Sequence, residues 1–297
     1  MAQTFLSKLQ ALFGEQKVNV SARFELLRDA ISGTMSNFHL ARDRTTDKHV
    51  GLKLLDKEKT AAFEARFKGL NKPSEGEIAM QLKHPRIVET YEHGQTTTGS
   101  TYIVMEFVQG AGMNTLIPNK DPILEGNRLT LIKQMLEAID ALHKAGFIHR
   151  DICPRNFIVW PDGKSLKLID FGLTVPALPP YMQPGNRTGT PLYMAPEIVR
   201  RRPTDQRVDI FAFGVTAFYL LAGEHPWPST DTTGKTALQH DTVVAIPLTK
   251  LRPQVNKTLA KVVHQCLSPS PNDRPPTAEA ILKALAKIKH EDEPETK

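Results

Sequence analysis

Over its first hundred residues the chain sets apolar side chains in short runs broken by polar turns, and beyond residue 125 it sets them at helical intervals. From Phe24 to Leu55 the pattern is strand and hairpin, with Asp43-Arg44-Thr45-Thr46-Asp47-Lys48 as the polar turn before Val50-Gly51-Leu52-Lys53. Phe63 to Lys83 reads as helix, interrupted by Gly69-Leu70-Asn71-Lys72-Pro73. Thr101 to Val108 is a further apolar strand, and the glycines of Gln109-Gly110-Ala111-Gly112 predict a flexible break after it. Leu129, Ile132, Leu136, Ile139 and Leu142 recur at three and four, which makes one apolar face of a helix ending near Gly146. Phe157 to Trp160, the turn Pro161-Asp162-Gly163 and Ser165 to Ile169 form a hairpin. The most apolar run, Ile210 to Gly223, suits a buried helix and is too short to span a membrane. At the ends, Phe5, Leu6, Leu9, Leu12 and Phe13 predict a short amphipathic helix docked on the domain, and the charged stretch from Lys287 is expected to fray.

Composition narrows the class. A chain of 297 residues with 40% hydrophobic and 24% charged residues is ordinary globular material, long enough for one two-lobed domain or two smaller ones. Two cysteines, Cys153 and Cys266, make neither a disulfide framework nor a zinc spacing, which fits a reducing, cytoplasmic setting. The net charge of +6 raises the question of nucleic acid, but no basic stripe interleaved with aromatics is present, and Arg200-Arg201-Arg202 reads as a solvated surface run. Neither nucleic acid nor a membrane span is expected.

The chemistry concentrates in His149-Arg150-Asp151-Ile152-Cys153-Pro154-Arg155-Asn156, where an Asp is followed five residues later by an Asn. Phosphoryl transfer needs such a pair: a carboxylate beside the attacking hydroxyl and an amide oxygen that can hold magnesium on the phosphates. Asp170-Phe171-Gly172 follows, then Gly189-Thr190-Pro191, Ala195-Pro196-Glu197, Asp209 and Asp273-Arg274-Pro275. Taken in this order and at these spacings, the chain resembles the protein kinase superfamily, with the serine/threonine branch suggested by Gly189-Thr190-Pro191.

The resemblance implies an α+β, two-lobed protein-kinase fold over residues 22–286. It consists of a small antiparallel β-sheet N-lobe with helix C (about 22–107) and a larger, mainly helical C-lobe (about 108–286). The amphipathic extension 1–21 would precede it and the charged tail 287–297 would follow. It further implies transfer of the γ-phosphate of ATP to protein hydroxyls with Mg2+. Asp151 would be the catalytic base, Asn156 and Asp170 the metal-binding residues, and Lys53 the grip on the α/β phosphates. Counting ten back from Pro85 lands on Glu75 as the partner of Lys53, with Glu77 as competitor. Ala30, Gly33 and Phe38 fall in the region of the glycine-rich loop. Met105 would back the base, and the backbone of Glu106 and Val108 would hydrogen-bond it. Asp209 would anchor the backbone at His149-Arg150, and Arg274 would pair with Glu197.

Three departures bear on activity. Ile31 and Ser36 replace two glycines, and β-branched Ile31 tolerates positive φ badly, so the loop should be stiff. Cys153 stands where serine/threonine kinases carry a lysine, and Arg155 lies two further on. Either Arg155 substitutes or the rate falls, so Cys153→Lys is expected to raise turnover; a redox role for Cys153 is also open. Finally, counting four back from Thr190 reaches Asn186, which cannot be phosphorylated, so regulation would run through Thr188, Thr174 or Tyr181, or need no phosphate. The alternatives to an active kinase are a pseudokinase scaffold that binds nucleotide weakly, a dual-specificity kinase, and a small-molecule phosphotransferase of related fold.

Overall fold

A computed structural model describes residues 17–28, 30–33, 35–185, 187–227 and 236–294. The expected helix over the first sixteen residues, the end of the tail and Asn186 lie outside the described residues. The chain divides into two compact units, one of residues up to Lys83 with Glu89–Val108, the other of His84–Val88 with Gln109 onward.

The first unit is an antiparallel sheet. Its strands are β1 (Phe24–Leu26), β2 (Ile31–Ser32), β3 (Ser36–Asp43), β4 (Lys48–Leu55), β5 (Thr90–Gln95) and β6 (Thr101–Glu106), ordered β1-β3-β4-β6-β5 with β2 paired to β3. Strand side chains alternate, and here both faces have work to do. One face buries Phe24, Ala41, Val50, Leu52, Tyr102 and Val104, covered by Val18 and Val20 from the segment before β1. The other face is fixed by register: Phe38 opposes Lys53, Lys53 opposes Ile103, and Gly51 opposes Met105. The helical stretch starts earlier than expected, at Lys57–Glu64, and resumes at Glu75–Gln81 after the Gly69–Pro73 interruption. Ile31 escapes the strain expected of it: it is a strand residue paired with Phe38 and is not at positive φ.

The second unit holds β7 (Ala111–Gly112), β8 (Phe147–Ile148), β9 (Phe157–Val159), β10 (Leu166–Leu168) and β11 (Val175–Pro176), in sheets β10-β9-β7 and β11-β8. His84–Val88 joins it because Val88 N–H donates to Leu168 O and Arg86 pairs with Glu137. The predicted break at Gln109–Gly112 is not loose. Ala111 pairs with Val159, and a Cβ on Gly110 would lie 2.2 Å from Val159 O, so that glycine serves close approach of two strands. Helix Arg128–Lys144 presents its apolar stripe inward, and helix Arg207–Ala222 is apolar all round and nearly all buried. Among the described residues no helix is long and apolar enough to cross a membrane.

The charged tail departs from expectation through residue 293. Glu291 takes Arg128 Nη1 and Arg252 Nη2 at 2.8 Å each, Asp292 takes Arg252 at 2.7 Å, and Glu293 N–H donates to Gln254 O. A buried carboxylate shared by two arginines, Glu291, holds a segment that composition alone marked as frayed.

Candidate active site

On the first unit, β4 carries Lys53 inward and the first turn of helix Glu75–Gln81 carries Glu75 to meet it. Lys53 Nζ donates to Glu75 Oε1 at 2.5 Å, and both side chains are more than nine-tenths buried. Ser74 caps this helix: its hydroxyl accepts from Glu77 N–H and Glu77 Oε2 accepts from Ser74 N–H. The capping box commits Glu77 to the helix end, which settles the competition between the two glutamates in physical terms. Ala30 is exposed, Gly33 forms a tight turn through its N–H to Ser36 O (2.7 Å), and Phe38 is half-buried on the face that bears Lys53. Glu106 donates its N–H to Glu89 O, so its carbonyl is the backbone group that could meet a base, and half-buried Val108 follows at the end of the unit.

On the second unit, Asp209 sits in the first turn of its helix, where the N-terminal dipole favours an anion. It accepts from His149 N–H and Arg150 N–H at 2.8 Å each and contacts His143 Nε2 at 2.9 Å. Burial pushes its carboxyl up, but His143 and the backbone donors outweigh that and hold it below the ordinary range. The loop backbone is thereby fixed in an uncommon shape at Arg150, φ 68°; Asp170, further along, also lies at φ 67°. Arg274, in turn, makes a two-pronged pair with Glu197 at 2.7 and 2.8 Å, fully buried.

The geometry converges on Asp151. Its Oδ2 accepts from Arg155 Nη2 at 2.7 Å and Asn156 Nδ2 at 3.1 Å. Its Oδ1 accepts from Thr190 Oγ1 at 2.7 Å and Thr190 N–H at 2.9 Å. The turn Pro154–Asn156 brings Arg155 back over Asp151, one helical turn on, so the cation at 155 reaches the carboxylate. Thr190 was not foreseen as an Asp151 partner; its only sequence signal is its place after Gly189. Cys153 lies 1% exposed, its Sγ 3.6 Å from Thr190 Oγ1. Burial first, then neighbouring Asp151, pushes its thiol up to about 12. A thiol that stays protonated and inaccessible is no redox sensor. The same burial argues against the expected gain from Cys153→Lys. A second cation would be forced into a dry site whose carboxylate Arg155 already pairs.

Asn156 spends its Nδ2 on Asp151 O (2.7 Å) and Asp151 Oδ2, which leaves Oδ1 as its remaining side-chain atom. Ile169 N–H donates to Asn156 O at 2.8 Å, so Asp170 follows directly beside it, with Oδ1 accepting Gly172 N–H at 3.1 Å. One carboxylate and one amide oxygen are hard donors that fit Mg2+, which takes few protein ligands and completes its shell with phosphates and water. Among the described residues no three His, Cys, Asp or Glu side chains form a metal cluster.

Arg150 is buried, with Nη2 3.5 Å from Tyr181 O and Thr204 Oγ1. Thr174 and Thr188 are buried too, and neither hydroxyl meets a partner among the described residues.

Comparison with known proteins agrees with this geometry. A family profile described as protein kinase domain matches residues 26–285. Serine/threonine-protein kinase pkn3 of Myxococcus xanthus is 32% identical over 274 residues, covering 87% of this chain and 48% of that protein. Serine/threonine-protein kinase PknB of Mycolicibacterium smegmatis is 30% identical over 279 residues, 91% of this chain and 43% of its own length. PknB of Mycobacterium tuberculosis is 29% identical over 285 residues, at 93% and 44%. The chain thus spans under half the length of these relatives. With one profile spanning the strands of the first unit and the loops of the second, the chain belongs to the protein kinase domain family.

Proposed function

We propose that this chain is an ATP-dependent serine/threonine protein kinase. The observation that carries the reading is the Asp151 carboxylate, held on both oxygens by Arg155, Asn156 and Thr190. Such a carboxylate is fixed in direction, so it can orient a substrate hydroxyl and take its proton as the phosphoryl group departs. Arg155 supplies the positive charge that a lysine at 153 would bring. Lys53, fixed by Glu75, would hold the α/β phosphates. Asn156 and Asp170 would hold Mg2+, which neutralises phosphate charge when bound. Ala30, Gly33 and Phe38 would border the nucleotide, and the backbone of Glu106 and Val108 would meet its base. The chain carries every polar residue of this set, and a pseudokinase scaffold finds no support. The relatives' names favour serine or threonine as acceptor over tyrosine. Protein substrates and a cytoplasmic setting complete the proposal. Buried Thr174 and Thr188 favour activity without an activation-segment phosphate.

The test is phosphate transfer from labelled ATP to generic protein substrates, comparing the wild type with Asp151→Asn. Loss of the base should lower the rate by about 10²–10⁴-fold, and a variant as active as the wild type would end the assignment.

A further inference from the structure

The stretch that carries Thr190, the residue gripping Asp151, is one-sided in charge. From Phe171 to Thr204 the sequence has a single acidic residue, Glu197, against the arginines Arg187, Arg200, Arg201 and Arg202. Folding spends Glu197 internally: it is buried and held on both oxygens by Arg274 at 2.7 and 2.8 Å. Arg200 is spent as well, on both oxygens of Asp241 at 2.7 and 3.0 Å, a carboxylate whose field Arg202 also reaches. Arg187, Arg201 and Arg202 are exposed, and among the described residues none of them makes a salt bridge. Backbone contacts place them around the catalytic loop. Thr204 N–H donates to Met182 O at 2.9 Å, which ties the chain just after Arg202 to the chain just before Arg187. Arg150 Nη2 lies 3.5 Å from both Tyr181 O and Thr204 Oγ1, and a Cβ on Gly189 would lie 2.7 Å from Arg150 O. A run that reads as merely solvated in the sequence thus borders the loop to which the acceptor hydroxyl must come.

We propose that Arg187, Arg201 and Arg202 select protein substrates in which acidic residues flank the acceptor serine or threonine. The proposal rests on the kinase reading and adds the substrate class. A substrate segment has to pass the stretch that holds Thr190 in order to reach Asp151. It meets there three cations without a salt-bridge partner of their own. Exposed charge of one sign steers in and selects a partner of the other sign, and it penalises a like-charged one.

The experiment measures kcat and KM for three peptides with one threonine acceptor each, flanked by aspartates, by alanines or by lysines, at low and high salt. The proteins are the wild type and the triple variant Arg187→Gln/Arg201→Asn/Arg202→Gln, with thermal melts to check folding. Asparagine is used at 201 because that residue sits at φ 54°, which asparagine tolerates. The wild type should favour the acidic peptide over the neutral one by about tenfold in kcat/KM, mostly through KM, since each exposed ion pair is worth only a few-fold. High salt should shrink that preference. The variant should lose it while transferring to the neutral peptide as fast as the wild type. Should the triple variant not fold, Arg187→Gln and Arg202→Gln made singly should each lose part of the preference. A wild type that treats acidic and neutral peptides alike, or prefers the basic one, would overturn the proposal. So would a folded variant whose acid preference is unchanged. An oligonucleotide that competes more strongly than an acceptor-free acidic peptide of equal charge would overturn it in favour of a nucleic-acid surface. A wild type that transfers phosphate neither to these peptides nor to any generic protein substrate would overturn the kinase reading itself.

Discussion

At the residue scale, the catalytic loop turns on where one positive charge stands. Cys153 is sealed beneath Thr190, while Arg155 reaches Asp151 from a half-exposed position. Arg155 is therefore the cation that meets the Asp151 carboxylate. Arg155→Ala should lower kcat by roughly 10²-fold, the scale on which loss of a single preorganised charge or donor is felt in transition-state stabilisation. Cys153→Lys alone should lower kcat, since it adds a buried charge with no partner left to take. The combination Cys153→Lys/Arg155→Ala removes that competition, and its ammonium can meet Asp151 from below. Steady-state kinetics on the three variants decides: a double variant no faster than Arg155→Ala would show that the position of the charge, and not its presence, is what the loop requires.

At the element scale, the segment Gly189–Met194 is tied at both ends. Thr190 grips Asp151, Tyr193 Oη lies 3.0 Å from His225 Nε2, and Met194 O lies 2.9 Å from His240 Nδ1. His240 is packed against Trp227 at 4.4 Å and Phe211 at 5.5 Å, ring centre to ring centre. Burial pushes its pKa down to about 4, against the opposing pull of the Met194 carbonyl and Asp241. Unfolded, the same imidazole titrates near 6.5. Below that pH the unfolded chain binds a proton that the folded chain refuses, so this contribution is full above pH 6.5 and is lost as pH falls toward 4. Its limit is on the order of 3 kcal/mol. His240→Asn keeps an N–H donor near the Nδ1 position and cannot titrate, so its stability should fall less between pH 6.5 and 4. Parallel denaturation curves for the two proteins would refute this. Helices and strands were legible in the sequence because their apolar periods are local, and Glu75 was reachable by counting from Pro85. His240 was not, because a histidine in an irregular stretch carries no period and its partner lies 46 residues away. Gly110 misled for a related reason: a glycine reads as freedom until the strand pressed against it is known.

At the scale of the whole molecule, the order of motifs made the family legible from end to end, but the charge pattern of the tail pointed the wrong way. Lys287 to Lys297 looks self-sufficiently solvated because its partners are remote in sequence. Arg128 is 163 residues from Glu291, and Arg252 comes from a different turn of the chain. Once folded, the two guanidinium groups are 17% and 12% exposed and converge on a carboxylate that is 6% exposed, with Lys133 Nζ also donating to Ile288 O at 2.8 Å. Removing the shared carboxylate leaves two largely buried cations facing each other, which is the costly way to break such a cluster. A chain ending at Ala286 should therefore lose about 3–5 kcal/mol of stability, seen as a Tm lower by about 10 °C. Glu291→Gln keeps the strap and removes only its charge, and should fall between the two. Melting curves for the three proteins make the comparison. If the shortened chain melts with the full one, the ion pairs contribute nothing net and the tail is as dispensable as its composition suggested.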